Sequence, residues 1–590
     1  MTLFARAKSV VFPALVVVVA IAVCANAAAD ESPLTRIPDD AVAVLHVKGW
    51  YRTRGRIVEL IEKALPGEPA EAMIEQMNSW IDQMLDGRQI FVSDDESVFL
   101  VLSKLPAAGK PPEILLIAPI TDYAAFRNGL LTPEERGQLQ ITNGQETTRV
   151  RGIPIFLVDH GKYATLSNVK QPARLSEKPS RFASKLPKGI ADRLLASDVA
   201  LCLDLKAINS LYEDEIAEAG GAIQRFVLQQ FQEKEVRNKE WKQLMRTLVN
   251  GLIQFVQDSE ALLVTVNVPV EGVEAHLEVI VKSESESAQF FQTARVGRLP
   301  DIEALPRGYL TYRADQGWSD SGPPALAALQ ELMKSNPASL KAVKESTDQV
   351  RKGVELACQR NRLGLAGLHI VACDDPKQMA ESELSTVGTA EVTLGVMKSP
   401  PQIERSAATH RGFTLHKVTS RFELDTVARL SDVNRKGVES LGARQTEILW
   451  IGHDKARFVT VGAETLDDAR RILDDYLDGK NSLSGDPAFR EARRHLPEQA
   501  SDLMFEEISD YFQAMARFQL GNLQAKFNLP DAVLPRIPPR IKGLTAYYGM
   551  ATTFQPGRVA IDLWAPGIMA REYDRVVGAI LLQLKERSGE

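Results

Sequence analysis

Apolar and polar positions along this chain follow two periods. The stretches AVAVLHVK over 41–48, DVALCLDL over 198–205 and ALLVTVNV over 261–268 alternate or run apolar over eight residues, the spacing of strands with a buried face. ALLVTVNV, a turn at Gly272 and Ala275 to Val281 make a hairpin pattern, matched by Ala546 to Thr553, Gly557 and Val559 to Trp564. Elsewhere apolar residues return every three or four positions. This predicts helices over 56–65, 70–85, 323–334, 338–360, 464–477 and 568–586, and a long helical region over 222–255 rich in Gln, Glu, Lys and Arg on one side. Strands and hairpins interrupted by helices, without regular β-α-β alternation, predict an α+β class with antiparallel sheets. The helices are expected on one sheet face, with the other open or meeting a sister unit.

The landmarks occur twice. Ile37-Pro38 opens AVAVLHVK and leads to Gly49-Trp50; Leu305-Pro306 opens GYLTYRAD and leads to Gly317-Trp318, with twelve residues from Pro to Trp in both. The turn and strand-like run Val158 to Leu166, with His160, pairs with Ile451 to Val461, with His453. Leu175-Ser176 through Phe182 and Leu186-Pro187 pair with Leu483-Ser484 through Phe489 and Leu496-Pro497, and the two hairpins follow. Recurrence in one order predicts two tandem diverged repeats, at 34–299 and 300–590.

The first residues obey another logic. Arg6 and Lys8 precede an apolar run from Val10 to Ala25, and Ala25-Asn26-Ala27 supplies small residues, so 1–27 reads as a signal peptide cleaved after Ala27. No later segment has the length of a spanning helix, so the mature chain is expected free in a periplasmic or extracellular compartment. Its 590 residues, 44% hydrophobic and 25% charged, suit a folded multidomain protein. A net charge of −7, becoming −9 once Arg6 and Lys8 are lost, with both signs interspersed, excludes a nucleic-acid partner. Cys24 leaves with the leader, and the odd set Cys202, Cys358 and Cys373 is no complete disulfide framework. Cys358 and Cys373 are close enough in sequence to pair, and two packed thiols are the simpler account.

The opening Ile37-Pro-Asp-Asp-Ala-Val-Ala43 and the segment Ser482-Leu-Ser-Gly-Asp-Pro-Ala-Phe489 with Leu496-Pro497, behind a signal peptide, resemble a large family of exported bacterial proteins, abundant in planctomycetes, that carry a domain of unknown function. The resemblance spans most of the mature chain. It implies export and duplicated α+β units, and it brings no activity, cofactor or catalytic residue.

Motifs for chemistry are missing. H-E-x-x-H, paired C-x-x-C, G-x-S-x-G and both Gly-rich phosphate loops are absent, and Ser167-Asn-Val-Lys170 stands without the partner elements of a serine acylase. Neither a metal nor an organic cofactor is expected. Acidic pairs such as Asp94-Asp95 and Asp374-Asp375 lack calcium-loop spacing. Matched turn histidines His160 and His453 suggest a site shared by symmetry, although a histidine that recurs with its turn accounts for them more simply. The recurring Trp50 and Trp318 are the candidate contacts to a ligand or partner; capping each unit's core is the competing account. The resulting expectation is a non-enzymatic binding or scaffolding protein of the cell envelope, its partner an envelope protein or polymer. The alternative is an exported hydrolase whose site is assembled only in three dimensions.

Overall fold

The computed structural model describes residues 33–65, 67–85, 88, 91–93, 96–104, 112–170, 180–233, 239–317, 354–360, 367–387, 396–397, 399–430, 435–440, 443–527 and 534–588. The leader expected over 1–27, residues 171–179, Trp318, the helix expected over 323–334 and most of that over 338–360 lie outside them. The chain clusters into two compact units: residues up to Glu213 with Ser259–Ile280, and Asp214–Asp258 with Val281 onward. The helices Glu213–Glu233 and Lys239–Asp258, drawn from the predicted 222–255 region, belong almost wholly to the second unit although they precede residue 300.

In the first unit a 3-10 turn at Pro33–Arg36 sinks Leu34 and Ile37 completely, and the chain then enters β1 (Ala43–Lys48). The further strands are β2 (Ser97–Lys104), β3 (Glu113–Pro119), β4 (Gln140–Thr142), β5 (Gln145–Val150), β6 (Ile153–Asp159), β7 (Tyr163–Ser167), β8 (Val199–Asp204), β9 (Ser259–Asn267) and β10 (Gly272–Val281). They line up as β4-β5-β6-β7-β3-β2-β1-β8-β9-β10. From β4 through to β9 in that order, neighbouring strands run antiparallel. Two-residue periodicity loads both faces. Val44, Phe99, Val101, Leu115, Ile117 and Cys202 point to one apolar cluster, and Val98, Leu100, Leu116 and Ala118 to another, the second holding Phe126 of the helix Tyr123–Leu130. The expectation that helices and core occupy one face only is therefore corrected for this sheet: near-continuous apolar runs such as VFLVL in β2 and ILLIA in β3 supply two buried faces.

The second unit contains β11 (Thr311–Asp315), β12 (Glu355–Gln359), β13 (Gly367–Ala372), β14 (Gln402–His410), β15 (Phe413–Arg421), β16 (Thr446–His453), β17 (Arg457–Gly462), β18 (Asp502–Glu507), β19 (Tyr547–Gln555) and β20 (Arg558–Pro566). Their order is β14-β15-β16-β17-β13-β12-β11-β18-β19-β20, antiparallel throughout and the same as in the first unit. The fold class is α+β.

Strand β12 corrects the helix expected over 338–360. Its ELACQ alternates, with Leu356 and Cys358 turned into the core, and the two ladders to β11 and β13 outweigh a helical period carried over from the preceding residues. The expected helix 568–586 forms as Ile568–Tyr573 and Ala579–Ser588 joined by a π turn.

Residues that recur along the chain have structural work to do. Gly49 and Gly317 both leave the first strand of their unit with φ of 65 and 70, a left-handed turn that favours glycine. The Asp-Pro-x-Phe segment builds a helix start: Asp486 accepts from the Ala488 amide at 3.0 Å, Pro487 occupies the first turn, and Phe489 is wholly buried against Phe505, ring centroids 4.7 Å apart.

Candidate functional site

A cavity of small-ligand size lies in the first unit, over the start of β1, the end of β8 and the start of β9. Its volume is about 340 Å³, within the range of small-ligand pockets. Val44, Cys202 and Ala261 form an apolar floor, and the segment Phe182 to Pro187 walls one side. The rim carries Asp39, Asp204 and Glu260 together with Lys185 and Lys206.

Each rim group is placed by local bonding. Asp39 Oδ1 accepts from the Ser180 hydroxyl at 2.7 Å and the Arg181 amide at 2.6 Å, and these donors hold its carboxyl below the ordinary carboxylate value. The Lys185 ammonium donates to the Asp39 carbonyl at 2.6 Å. Asp204 caps the helix Leu205–Leu211 by accepting from the Ala207 amide at 2.9 Å. Lys206 and Glu260 stand 3.9 Å apart at the exposed lip.

The cleft exists because of residue size, which emerges when the two sheets are compared strand by strand. The β8 amide of Asp204 donates to the Val42 carbonyl at 2.7 Å, and the β18 amide of Glu507 donates to the Leu310 carbonyl at 2.8 Å, so these positions correspond. In the same register Val44 faces Cys202 where Tyr312 faces Phe505, and Ala261 faces Asp204 where Tyr547 faces Glu507. Leu263 occupies the room that Gly549 cedes to Phe505. The vacancy therefore comes down to two positions, Val44 for Tyr312 and Ala261 for Tyr547. In the second unit those two rings meet edge-on at 6.0 Å, Tyr547 meets Phe489 edge-on at 5.9 Å, and the space is filled.

The cleft's lining is apolar at its floor and charged at its rim. No serine, threonine, tyrosine or histidine lines it, and its one thiol, Cys202, is pushed up to about 12 by burial, with Asp204 adding to the effect. A thiol at that value stays protonated near neutrality and is a poor nucleophile.

The residues singled out by sequence go elsewhere. Trp50 begins the helix Trp50–Ala64, and its side chain, like the whole of Trp318, is outside the described residues. His160 and His453 are not equivalent. Asp159 faces Ala164 where His453 faces Phe458, which aligns His160 with Asp454. The His160 ring bonds Thr165 Oγ1 at 3.1 Å, while Asp454 accepts from the amides of Ala456 and Arg457. Cys358 is fully buried in β12 and Cys373 lies 3.8 Å from the Met379 sulfur, both as free thiols. Among the described residues no three His, Cys, Asp or Glu side chains gather as metal ligands, and no helix is long and apolar enough to cross a membrane.

One further cluster sits on the β11 face opposite the core. Arg313 bridges Asp502, Nε to Oδ1 3.0 Å, and Asp315, Nη2 to Oδ2 3.5 Å, and on the neighbouring strands His369 Nε2 lies 3.0 Å from Glu355 Oε1. Burial pushes Asp315 up to about 6 and raises Asp502 above its ordinary value.

No family model matches the chain, and no curated protein matches it. Solved structures of TP0453, a Treponema protein, are similar at a low level: crystal form I is 12% identical with a TM-score of 0.21, covering 43% of this chain and 80% of that one. Crystal form III is 14% identical with a TM-score of 0.20, covering 46% and 90%. At such scores the likeness carries no information on ligand or activity.

Proposed function

We propose that this chain is an exported, non-enzymatic binding protein of the cell envelope, made of two diverged copies of one α+β unit, of which the first receives a small ligand. The observation that carries the reading is the cleft over Val44, Cys202 and Ala261, opened by small residues where the second unit packs aromatic rings, and lined by no hydroxyl or imidazole group. The same ten-strand order in both units supports duplication. Export rests on the leader residues Arg6 to Ala27, and the likeness to the planctomycete-type exported proteins belongs to the same proposal.

The test is to express the full gene in a bacterial host, sequence the amino terminus of the exported form, and incubate that form with an envelope extract. We expect an amino terminus at Ala28 and a small compound retained by the protein and released unchanged on denaturation. Consumption of the compound, or retention of the leader in the cytoplasm, overturns the reading.

A hydrolase is the second reading, favoured by the Asp315, Arg313 and Asp502 arrangement, in which a carboxyl raised toward neutrality stands beside a second carboxylate. Turnover of any envelope ester, amide or glycoside that is lost in Asp315→Asn would favour it over binding.

A further inference from the structure

We propose that the cleft of the first unit binds a phenolic ring, which takes the place that the Tyr547 side chain holds in the second unit; this rests on the binding reading above. In the second unit the Tyr547 ring rises from β19 between Tyr312 and Phe489, and its hydroxyl donates to Asp486 Oδ2 at 3.1 Å. Asp486 Oδ1 meanwhile accepts from Ala488, the amide immediately before the buried Phe489.

The first unit keeps a phenylalanine and a carboxylate acceptor beside the space, while Val44 stands where Tyr312 flanks the ring and Ala261 where the ring itself begins. Phe182, which pairs with Phe489 in the recurring sequence landmarks, is buried and lines the cleft. Asp39 Oδ1 accepts from Arg181, the amide immediately before Phe182, as Asp486 does before Phe489. Asp39 Oδ2 takes no hydrogen bond among the described residues and stands at the mouth of the cleft as an acceptor. Where Tyr547 would be, the chain has Ala261, a methyl group.

The size and charge of the space agree. A volume of about 340 Å³ holds roughly eleven water-sized groups, enough for one substituted ring with a short chain. Three carboxylates against two ammonium groups, one of these already bonded to the Asp39 carbonyl, make the rim a better acceptor of a hydroxyl proton than host for an anion. Phe182 supplies an edge or face to a ring, as Phe489 does.

The full mature chain is titrated with p-cresol, 4-methylanisole, 4-methylcyclohexanol and 4-methylbenzoate, read by calorimetry and by the shift in melting temperature. We expect p-cresol to bind about tenfold tighter than 4-methylanisole, which lacks the donated proton, and tighter than the saturated alcohol or the anion. N-acetyltyrosinamide separates sources: tighter binding than p-cresol points to a tyrosyl side chain of a partner, weaker binding to a free phenol, and both keep the phenolic class. Ala261→Tyr is expected to raise the melting temperature and abolish p-cresol binding; Ala261→Leu, a smaller filler, is expected to weaken it at least tenfold. Equal binding of 4-methylanisole, or preference for the anion, overturns the phenolic class and leaves the cleft as a binding site. Undiminished p-cresol binding in Ala261→Leu places the ligand elsewhere. No binding by any of the five compounds at millimolar concentration overturns both the class and the cleft.

Discussion

Asp486 joins two functions that separate cleanly by substitution. One carboxylate oxygen caps the helix Pro487–Arg494 through Ala488, and the other accepts the proton of the buried Tyr547 hydroxyl. Asp486→Ala removes the cap, worth about 1 kcal/mol, and strands a hydroxyl whose residue is only 2% exposed, which costs about 1–3 kcal/mol. The total expected is about 2–4 kcal/mol. Asp486→Asn keeps an oxygen for Ala488 and offers its NH₂ to the tyrosine oxygen, so it should cost about 1 kcal/mol or less. Tyr547→Phe alone should cost about 1 kcal/mol. In the double variant the stranded hydroxyl no longer exists, so the two losses should sum to about 1–3 kcal/mol more than the double variant shows. The assay is urea unfolding of the full chain, with hydrogen exchange of peptides from Tyr547–Gln555 reporting the second unit. Additive losses, or a loss in Asp486→Ala below about 0.5 kcal/mol, would refute the shared role, since surface changes commonly fall within that margin.

Glu507 is 2% exposed, and burial pushes it up to about 7 from an ordinary 4.5 despite the Asp510 amide and Arg540. Between these values the folded chain holds a proton that the unfolded chain releases, so this group's contribution to stability falls as pH rises from about 4.5 to about 7. Glu507→Gln should match the parent at pH 4 and exceed it by up to about 3 kcal/mol above pH 7 in chemical unfolding; a constant difference across pH would refute this. Gly452 on β16 has no room for a side chain, because an added Cβ would stand 2.6 Å from both the Thr414 carbonyl and a Leu415 methyl. Gly452→Ala should cost about 1–3 kcal/mol, measured by urea unfolding. Burial keeps the Cys202 thiol at about 12 and Cys373 at about 11. Mass spectrometry after iodoacetamide at pH 8 should find Cys202 and Cys358 unlabelled and half-buried Cys373 slowly labelled, all three reacting fully in urea.

The fold class and most elements were legible in order along the chain. Two-residue alternation marked β1, β8 and β9, and three-to-four spacing marked the helix Leu466–Leu477, because side-chain direction repeats with backbone geometry and leaves a trace in sequence. Strand β12 was hidden because five alternating residues follow a helical-looking stretch, and only its two neighbours in the sheet decide the matter.

The cleft was illegible for a sharper reason. Aligned by sequence, Ala261 falls against Ala546 and His160 against His453, each one residue away from the match that the hydrogen-bonded registers give. A slip of one residue turns every side chain to the other face of a strand. It hid the substitution of Ala261 for Tyr547 and made two unrelated turn histidines look like partners. The sequence alone settled the two periodicities, the class they imply and the landmarks that occur twice. Tertiary structure decided which residue stands opposite which, through Asp204 on Val42 and Glu507 on Leu310, and therefore where one sheet is filled by rings and the other left open. Pairing across strands is a contact between residues distant in the chain, and no local pattern encodes it to within one position.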